Sequence, residues 1–184
     1  MTVRYEVGDG IATITLASPE TRNVLAAATM AALVEQLAAA AADDDVRVVV
    51  LTGEGTTFCA GADLAGASSA DASSFADAGP RALVAVLEAM LDHPKPVVAR
   101  VQGHVAGGGN GLVAAADLAV AAESARFAFS EVRVGVSPAV ISVVCLAKLH
   151  PAVARELLLT GERVSAQRML DAGMLNAVVP DEGL

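Results

Sequence analysis

The period of the hydrophobic positions changes repeatedly along the chain, and the changes mark its elements. Val3 to Val7 and Ile11 to Leu16 alternate apolar and polar residues around Gly8-Asp9-Gly10, the pattern of two strands joined by a tight hairpin. Ala27 to Ala42 reads as an alanine-rich helix stopped by Asp43-Asp44-Asp45, and Val46 to Thr52 as a buried strand. Residues 65–79, rich in Ala, Ser, Asp and Gly, predict a surface loop with at most a helical turn, after which Pro80 fits the first position of a helix through Leu91. Beyond Pro94-Lys95-Pro96, Val97 to Val101 is strand-like, Leu112 to Ala116 a short helix and Leu118 to Ala121 a strand. Val140 to Leu149, Ala152 to Leu159 and Ala166 to Ala172 read as helices, and Leu175 to Val179 as the last strand. The alternation predicts α/β architecture in one domain over residues 1–184, with no internal repeat visible in the sequence.

Composition narrows the class. A chain of 184 residues, 54% hydrophobic and 18% charged, is long enough for one substantial core and should fold. Its apolar stretches are short and interrupted by Asp, Glu or Gly, which predicts no membrane span, and Met1-Thr2-Val3-Arg4-Tyr5-Glu6 lacks the apolar core of a signal peptide. Cys59 and Cys145 make neither a disulfide framework nor a metal motif, so a reducing, cytoplasmic compartment is expected. A net charge of −9, with Lys95 and Lys148 the only lysines and the arginines dispersed, argues against nucleic acid as a partner. Three histidines without paired acidic ligand spacing argue against a metal site.

Two glycine-rich segments carry the strongest chemical signal. Phe58-Cys59-Ala60-Gly61-Ala62-Asp63-Leu64 and Gly103-His104-Val105-Ala106-Gly107-Gly108-Gly109-Asn110-Gly111 each follow a β-like run, and the second leads into a helix. Both can offer bare backbone N–H groups to an anionic oxygen, and two such donors make an oxyanion hole. Glu131 lies downstream among Phe127, Phe129, Val132 and Val134, where partial burial would raise its pKa and suit it to proton transfer. Acyl-enzyme chemistry finds no support: there is no Gly-x-Ser-x-Gly elbow, and Cys59 has no basic partner in sequence. The glycine spacing also fails the dinucleotide fingerprint. Asp117 reads as structural, His93 as a loop residue and His104 as a packed histidine.

Together with Ser18-Pro19-Glu20-Thr21-Arg22-Asn23-Val24-Leu25 and Leu159-Thr160-Gly161-Glu162-Arg163, these segments resemble the crotonase, or enoyl-CoA hydratase/isomerase, superfamily from about Val3 to Val179. The resemblance implies a crotonase-like spiral of repeated ββα units, whose C-terminal helical part is missing after Leu184. It implies a homotrimer or dimer of trimers acting on an acyl-CoA thioester in fatty acid metabolism, with coenzyme A as part of the substrate and no other cofactor. The implied oxyanion donors are the backbone N–H groups of Ala62 and Gly108. Glycine at 108 would let the thioester approach the main chain. The implied substrate contacts are Arg22, Val24, Ala60, Ala62, Asp63, Leu64, Gly107 and Gly108, with Arg22 near the phosphates. Asp63 would fix its loop by accepting backbone N–H bonds.

Glu131 falls at the family's second catalytic glutamate, and the first falls at position 111, which is glycine here. One carboxylate beside an oxyanion hole suffices for Δ3,Δ2-enoyl-CoA isomerisation, and a weakly catalytic acyl-CoA-binding or assembly protein is a further alternative. The pattern from Gly109 to Val113 and from Glu131 to Ser142 nevertheless resembles methylglutaconyl-CoA hydratase-like members, in which glycine at position 111 is tolerated. Hydration of a 2-enoyl-CoA is therefore the expected reaction. The acyl group would be walled by residues 65–79 and the helix near Leu83 to Leu91, and bordered by Val140 and Ile141.

Overall fold

The computed structural model describes residues 2–62 and 72–184, with residues 72–78 described as backbone only. Strands β1 (Val3–Gly8) and β2 (Ile11–Leu16) pair antiparallel with Val3 opposite Leu16. Their two-residue loop needs positive φ at both positions, met by Asp9 at 54° and Gly10 at 80°. Helix α1 (Ala27–Ala42) buries Met30, Leu33, Leu37 and Ala40, a spacing of three and four that makes one apolar stripe.

The rest of the chain repeats one step. Strands β3 (Val48–Gly53) and β4 (Thr57–Cys59) lead to α2 (Ala72–Leu91); β5 (Val97–Val101) and β6 (His104–Ala106) lead to α3 (Gly108–Ala115); β7 (Leu118–Ala122) and β8 (Arg126–Ala128) lead to α4 (Ala139–Lys148). The first strand of each unit joins a six-stranded sheet that ends in β10 (Ala177–Val179) and is ordered β1-β2-β3-β5-β7-β10, and the second joins a four-stranded sheet that ends in β9 (Arg163–Ser165) and is ordered β4-β6-β8-β9. Within each sheet the repeated strands run parallel, so every unit advances the chain by one strand in both sheets and generates a spiral of ββα turns. Helix α5 (Pro151–Thr160), β9 (Arg163–Ser165), α6 (Ala166–Asp171) and β10 (Ala177–Val179) complete the described chain. The large sheet is buried against the helices through Ile14, Leu16, Val49, Val97, Ala99 and Val101.

Several expectations need correction. Residues 72–79 are helical rather than a loop, so Pro80 lies inside α2 instead of opening it. The helix expected to begin at Leu112 begins at Gly108, inside the glycine run. Glycine is a poor helix former, but a β-carbon on Gly109 would stand 2.8 Å from the Cys59 carbonyl oxygen, so tertiary packing forbids a larger residue and outweighs propensity. His104 is exposed on β6 rather than packed. His93 lies in the loop between α2 and β5 as expected, with its ring nitrogens 2.8 Å from the Lys95 carbonyl and 3.1 Å from the Leu37 carbonyl. Asp117 is structural as expected, accepting from the Val97 N–H at 2.7 Å while its own N–H donates to the Val97 carbonyl at 2.9 Å. Both cysteines are free and buried. Among the described residues no helix is long and apolar enough to cross a membrane, and no cluster of potential metal ligands occurs.

Candidate active site

The first glycine segment leaves β4 beside the loop that precedes α1. Ala60 N–H donates to the Arg22 carbonyl at 3.0 Å, Leu25 N–H donates to the Gly61 carbonyl at 2.8 Å, and Leu25 pairs in parallel with Ala62. The loop is held by Asn23, which is 1% exposed and has φ 54°, a left-handed conformation that asparagine tolerates. Its Nδ2 donates to the Thr57 carbonyl at 2.7 Å and the Glu54 carbonyl at 3.0 Å, and its Oδ1 accepts from the Ser18 N–H at 2.9 Å. Sequence reasoning missed this role; the available signal was a short amide side chain in a turn, a residue type able to satisfy the surrounding backbone. Arg22 is exposed with φ 59° and Val24 is half-buried.

The second segment turns sharply at Gly107, whose φ of 49° and ψ of −124° suit glycine alone, and enters α3 at Gly108. As the first helical residue, Gly108 has an N–H without an intrahelical acceptor, and the helix dipole favours negative charge at this end. Gly61, with φ 88°, faces this turn: a β-carbon there would stand 2.8 Å from the Ala106 carbonyl oxygen and 3.2 Å from the Gly108 nitrogen. Leu25 and Leu83 pack over Gly108. The two glycine segments, separate in sequence, therefore form one narrow backbone-lined site.

Glu131 comes to the same place from β8 through a 3₁₀ turn, Ser130–Val134, ended by Gly135 in the left-handed region. A β-carbon on Gly107 would lie 3.5 Å from Glu131 Oε1, which puts the carboxyl group against the Gly107 turn. The side chain is half-buried and its Oε2 has no hydrogen-bond partner among the described residues. Burial pushes its pKa above the ordinary 4.5, with a bond from its own backbone N–H acting in the opposite direction. The cysteines are inert as nucleophiles. Burial pushes the Cys59 thiol up to about 12, while Cys145 is raised by burial first and then by the negative charge of Glu131.

Position 111 holds no carboxylate and no space for one. A β-carbon on Gly111 would stand 2.7 Å from Ile141 Cγ2 and 3.5 Å from Leu87 Cδ2. Ile141 packs directly over Gly111. Of the candidate substrate contacts, Ala60 is half-buried, Ala62 is exposed, and Gly107 and Gly108 are buried. Asp63, Leu64 and residues 65–71 lie outside the described residues. Among the described residues the site thus unites Gly61, Ala62, Gly107, Gly108 and Glu131: backbone donors suited to an oxyanion beside one carboxyl group able to move a proton.

The same fold occurs in known proteins. The chain is 34% identical over 176 residues to the rat mitochondrial enoyl-CoA hydratase domain-containing protein 3, covering 96% of this chain and 59% of that protein. It is 39% identical over 173 residues to carnitinyl-CoA dehydratase of Salmonella paratyphi B, covering 93% of this chain and 65% of that protein. The solved structure of an enoyl-CoA hydratase from Mycobacterium smegmatis superposes with a TM-score of 0.96 at 36% identity, over all of this chain and 72% of that one. The chain therefore spans roughly three fifths of the rat relative's length and under two thirds of the dehydratase's. Residues 6–184 match the model of the enoyl-CoA hydratase/isomerase family, and the chain belongs to that family.

Proposed function

We propose that this protein adds water across the double bond of a 2-enoyl-CoA thioester. The observation that carries the proposal is the Glu131 carboxyl group lying against the Gly107 turn, 3.5 Å from where a β-carbon on that residue would stand. The thioester oxygen would accept from the Ala62 and Gly108 N–H groups. As water oxygen bonds to the β-carbon, the π electrons move to the thioester oxygen as an enolate. Glu131 takes one proton from the water and returns it to the α-carbon, so the carboxylate is regenerated and the elements of water are added. The names of relatives, an enoyl-CoA hydratase and a carnitinyl-CoA dehydratase, support chemistry that adds or removes water at a CoA thioester. Coenzyme A enters as part of the substrate, with no other cofactor required. Arg22, Val24, Ala60, Asp63 and Leu64 are proposed as its contacts. A homotrimer or dimer of trimers in the cytoplasm completes the reading, although the rat relative is a mitochondrial protein.

One observation favours a second reaction. Because Ile141 fills the space over Gly111, a single carboxyl group among the described residues serves the site, and moving one proton between the α- and γ-carbons of a 3-enoyl-CoA needs only one. Ultraviolet absorbance separates the cases. Hydration lowers the absorbance of trans-2-butenoyl-CoA, isomerisation raises that of 3-butenoyl-CoA, and either change should vanish in Glu131→Gln. If neither substrate changes while acyl-CoA still binds, the protein binds acyl-CoA without turnover.

A further inference from the structure

Asn110 is fully buried in the first turn of α3. Its Nδ2 donates to the Ala128 carbonyl at 2.9 Å and to the Gly107 carbonyl at 3.3 Å. Its backbone N–H donates to the Gly107 carbonyl at 2.9 Å, and the Gly107 N–H donates to the same Ala128 carbonyl at 3.2 Å. Two of these bonds close the turn that presents the Gly108 N–H, and the two accepted by the Ala128 carbonyl join that turn to the last residue of β8, from which the chain leads through Phe129 and Ser130 to Glu131. We infer that Asn110 is a positioning residue that sets the separation of the Gly108 N–H and the Glu131 carboxyl group by locking the Gly107 turn to the end of β8. The inference rests on the oxyanion role proposed above for Gly108.

The other end of the same side chain supports this assignment. Asn110 Oδ1 is buried and has no hydrogen-bond partner among the described residues. A residue selected for packing alone would avoid the desolvation cost of that oxygen, so its retention points to the value of the paired Nδ2 donors. The two carbonyls they bind belong to different segments of the site, and no other side chain among the described residues bridges them.

Wild type, Asn110→Asp and Asn110→Ser are compared in two assays. Steady-state hydration of trans-2-butenoyl-CoA gives kcat and KM. The ultraviolet absorbance of the enolate of bound acetoacetyl-CoA reads the oxyanion donors without turnover. Asn110→Asp removes the Nδ2 donors with little change of shape, and Asn110→Ser keeps one smaller donor. In Asn110→Asp, kcat should fall about 10- to 100-fold, as expected for reacting groups misplaced by about 1 Å, and enolate absorbance should fall by a similar factor. KM and the Kd of acetoacetyl-CoA should stay within about threefold, because substrate contacts shared by ground and transition states remain. Asn110→Ser should lie between Asn110→Asp and wild type. Unchanged kcat and enolate absorbance, a loss confined to binding, or failure of both variants to fold would overturn the assignment, the last making Asn110 a residue of the fold alone. If wild type forms the enolate but does not hydrate butenoyl-CoA, the hydration reading fails while the enolate comparison still decides the role of Asn110. If wild type forms no enolate, the oxyanion role and this inference fall together.

Discussion

Gly61 and Gly108 face each other so closely that a β-carbon on Gly61 would stand 3.2 Å from the Gly108 nitrogen. The first residue comes from the end of β4 and the second from the start of α3. Their apposition sets the first glycine segment against the N-terminus of α3.

Gly61→Ala tests that apposition. The added methyl group would obstruct the Gly108 N–H, so if that group is the proposed oxyanion donor, the proposed hydration should fall by at least about 100-fold, the effect of losing one such donor. The same substitution strains a residue at φ 88° and crowds the Ala106 carbonyl oxygen, so urea denaturation should show a loss of about 1–3 kcal/mol. Gly8→Ala is the control: nothing lies within 4 Å of a β-carbon there, and both activity and stability should be retained.

Restoring a glutamate at position 111 should not create a second catalytic carboxylate. Its β-carbon would meet Ile141 Cγ2 at 2.7 Å, so Gly111→Glu alone should destabilise the protein by about 2–3 kcal/mol or more through overpacking, with no gain in kcat. Adding Ile141→Ala removes the colliding atom, and the double variant should recover part of that loss in chemical denaturation. Independent, additive effects of the two substitutions would contradict the packing.

Glu131 should give the reaction its acid limb. Proton abstraction from water needs the carboxylate, and burial holds its pKa above 4.5, so kcat/KM should decline with falling pH at a midpoint above that value. The sign for stability is opposite. A raised folded pKa means that the protonated form is the one the fold favours. Its stability contribution is full below the unfolded pKa and is lost as pH rises through the folded pKa. Glu131→Gln, inactive at every pH, should therefore melt slightly higher than wild type at about pH 7, and that advantage should disappear by about pH 4. A lower melting temperature for Glu131→Gln at neutral pH would mean that the carboxylate has a stabilising partner.

How much of this was legible in the sequence follows from length and period. The hairpin, α1 and β5 were readable because each carries enough residues for a hydrophobic pattern to repeat. β4, β6 and β8 have three residues each, too few to show alternation, and so the ββα repeat was invisible without the resemblance. The two glycine segments and Glu131 were visible as chemistry, since bare donors and a carboxylate among apolar neighbours are local features, whereas the individual donors, Ala62 and Gly108, came from the resemblance. The packing of Ile141 over Gly111 and the Nδ2 bonds of Asn110 depend on contacts between separate segments, which residue type alone does not encode.

The loop before α1 should separate scaffold from binding within two adjacent residues. Asn23 uses its buried amide for three bonds to Ser18, Glu54 and Thr57, and Asn23→Ala would leave those backbone groups unpaired at a left-handed position. At roughly 1 kcal/mol per bond, its cost in urea denaturation should be about 3 kcal/mol, and KM should rise as the partner loop of Ala60 and Gly61 loosens. Arg22 is exposed and makes no ion pair among the described residues, and alanine at its φ of 59° is no more strained than arginine. Arg22→Ala should thus keep its stability within about 0.5 kcal/mol. If the guanidinium meets the phosphates of coenzyme A, KM should rise about 3- to 10-fold with kcat unchanged, and the increase should shrink as salt screens the charge. Arg22→Lys should preserve most of the affinity, because the proposed contact needs positive charge near a phosphate. An unaltered KM in Arg22→Ala at low salt would make Arg22 a solvated loop charge and shift the recognition of coenzyme A to the backbone of Ala60 and Ala62.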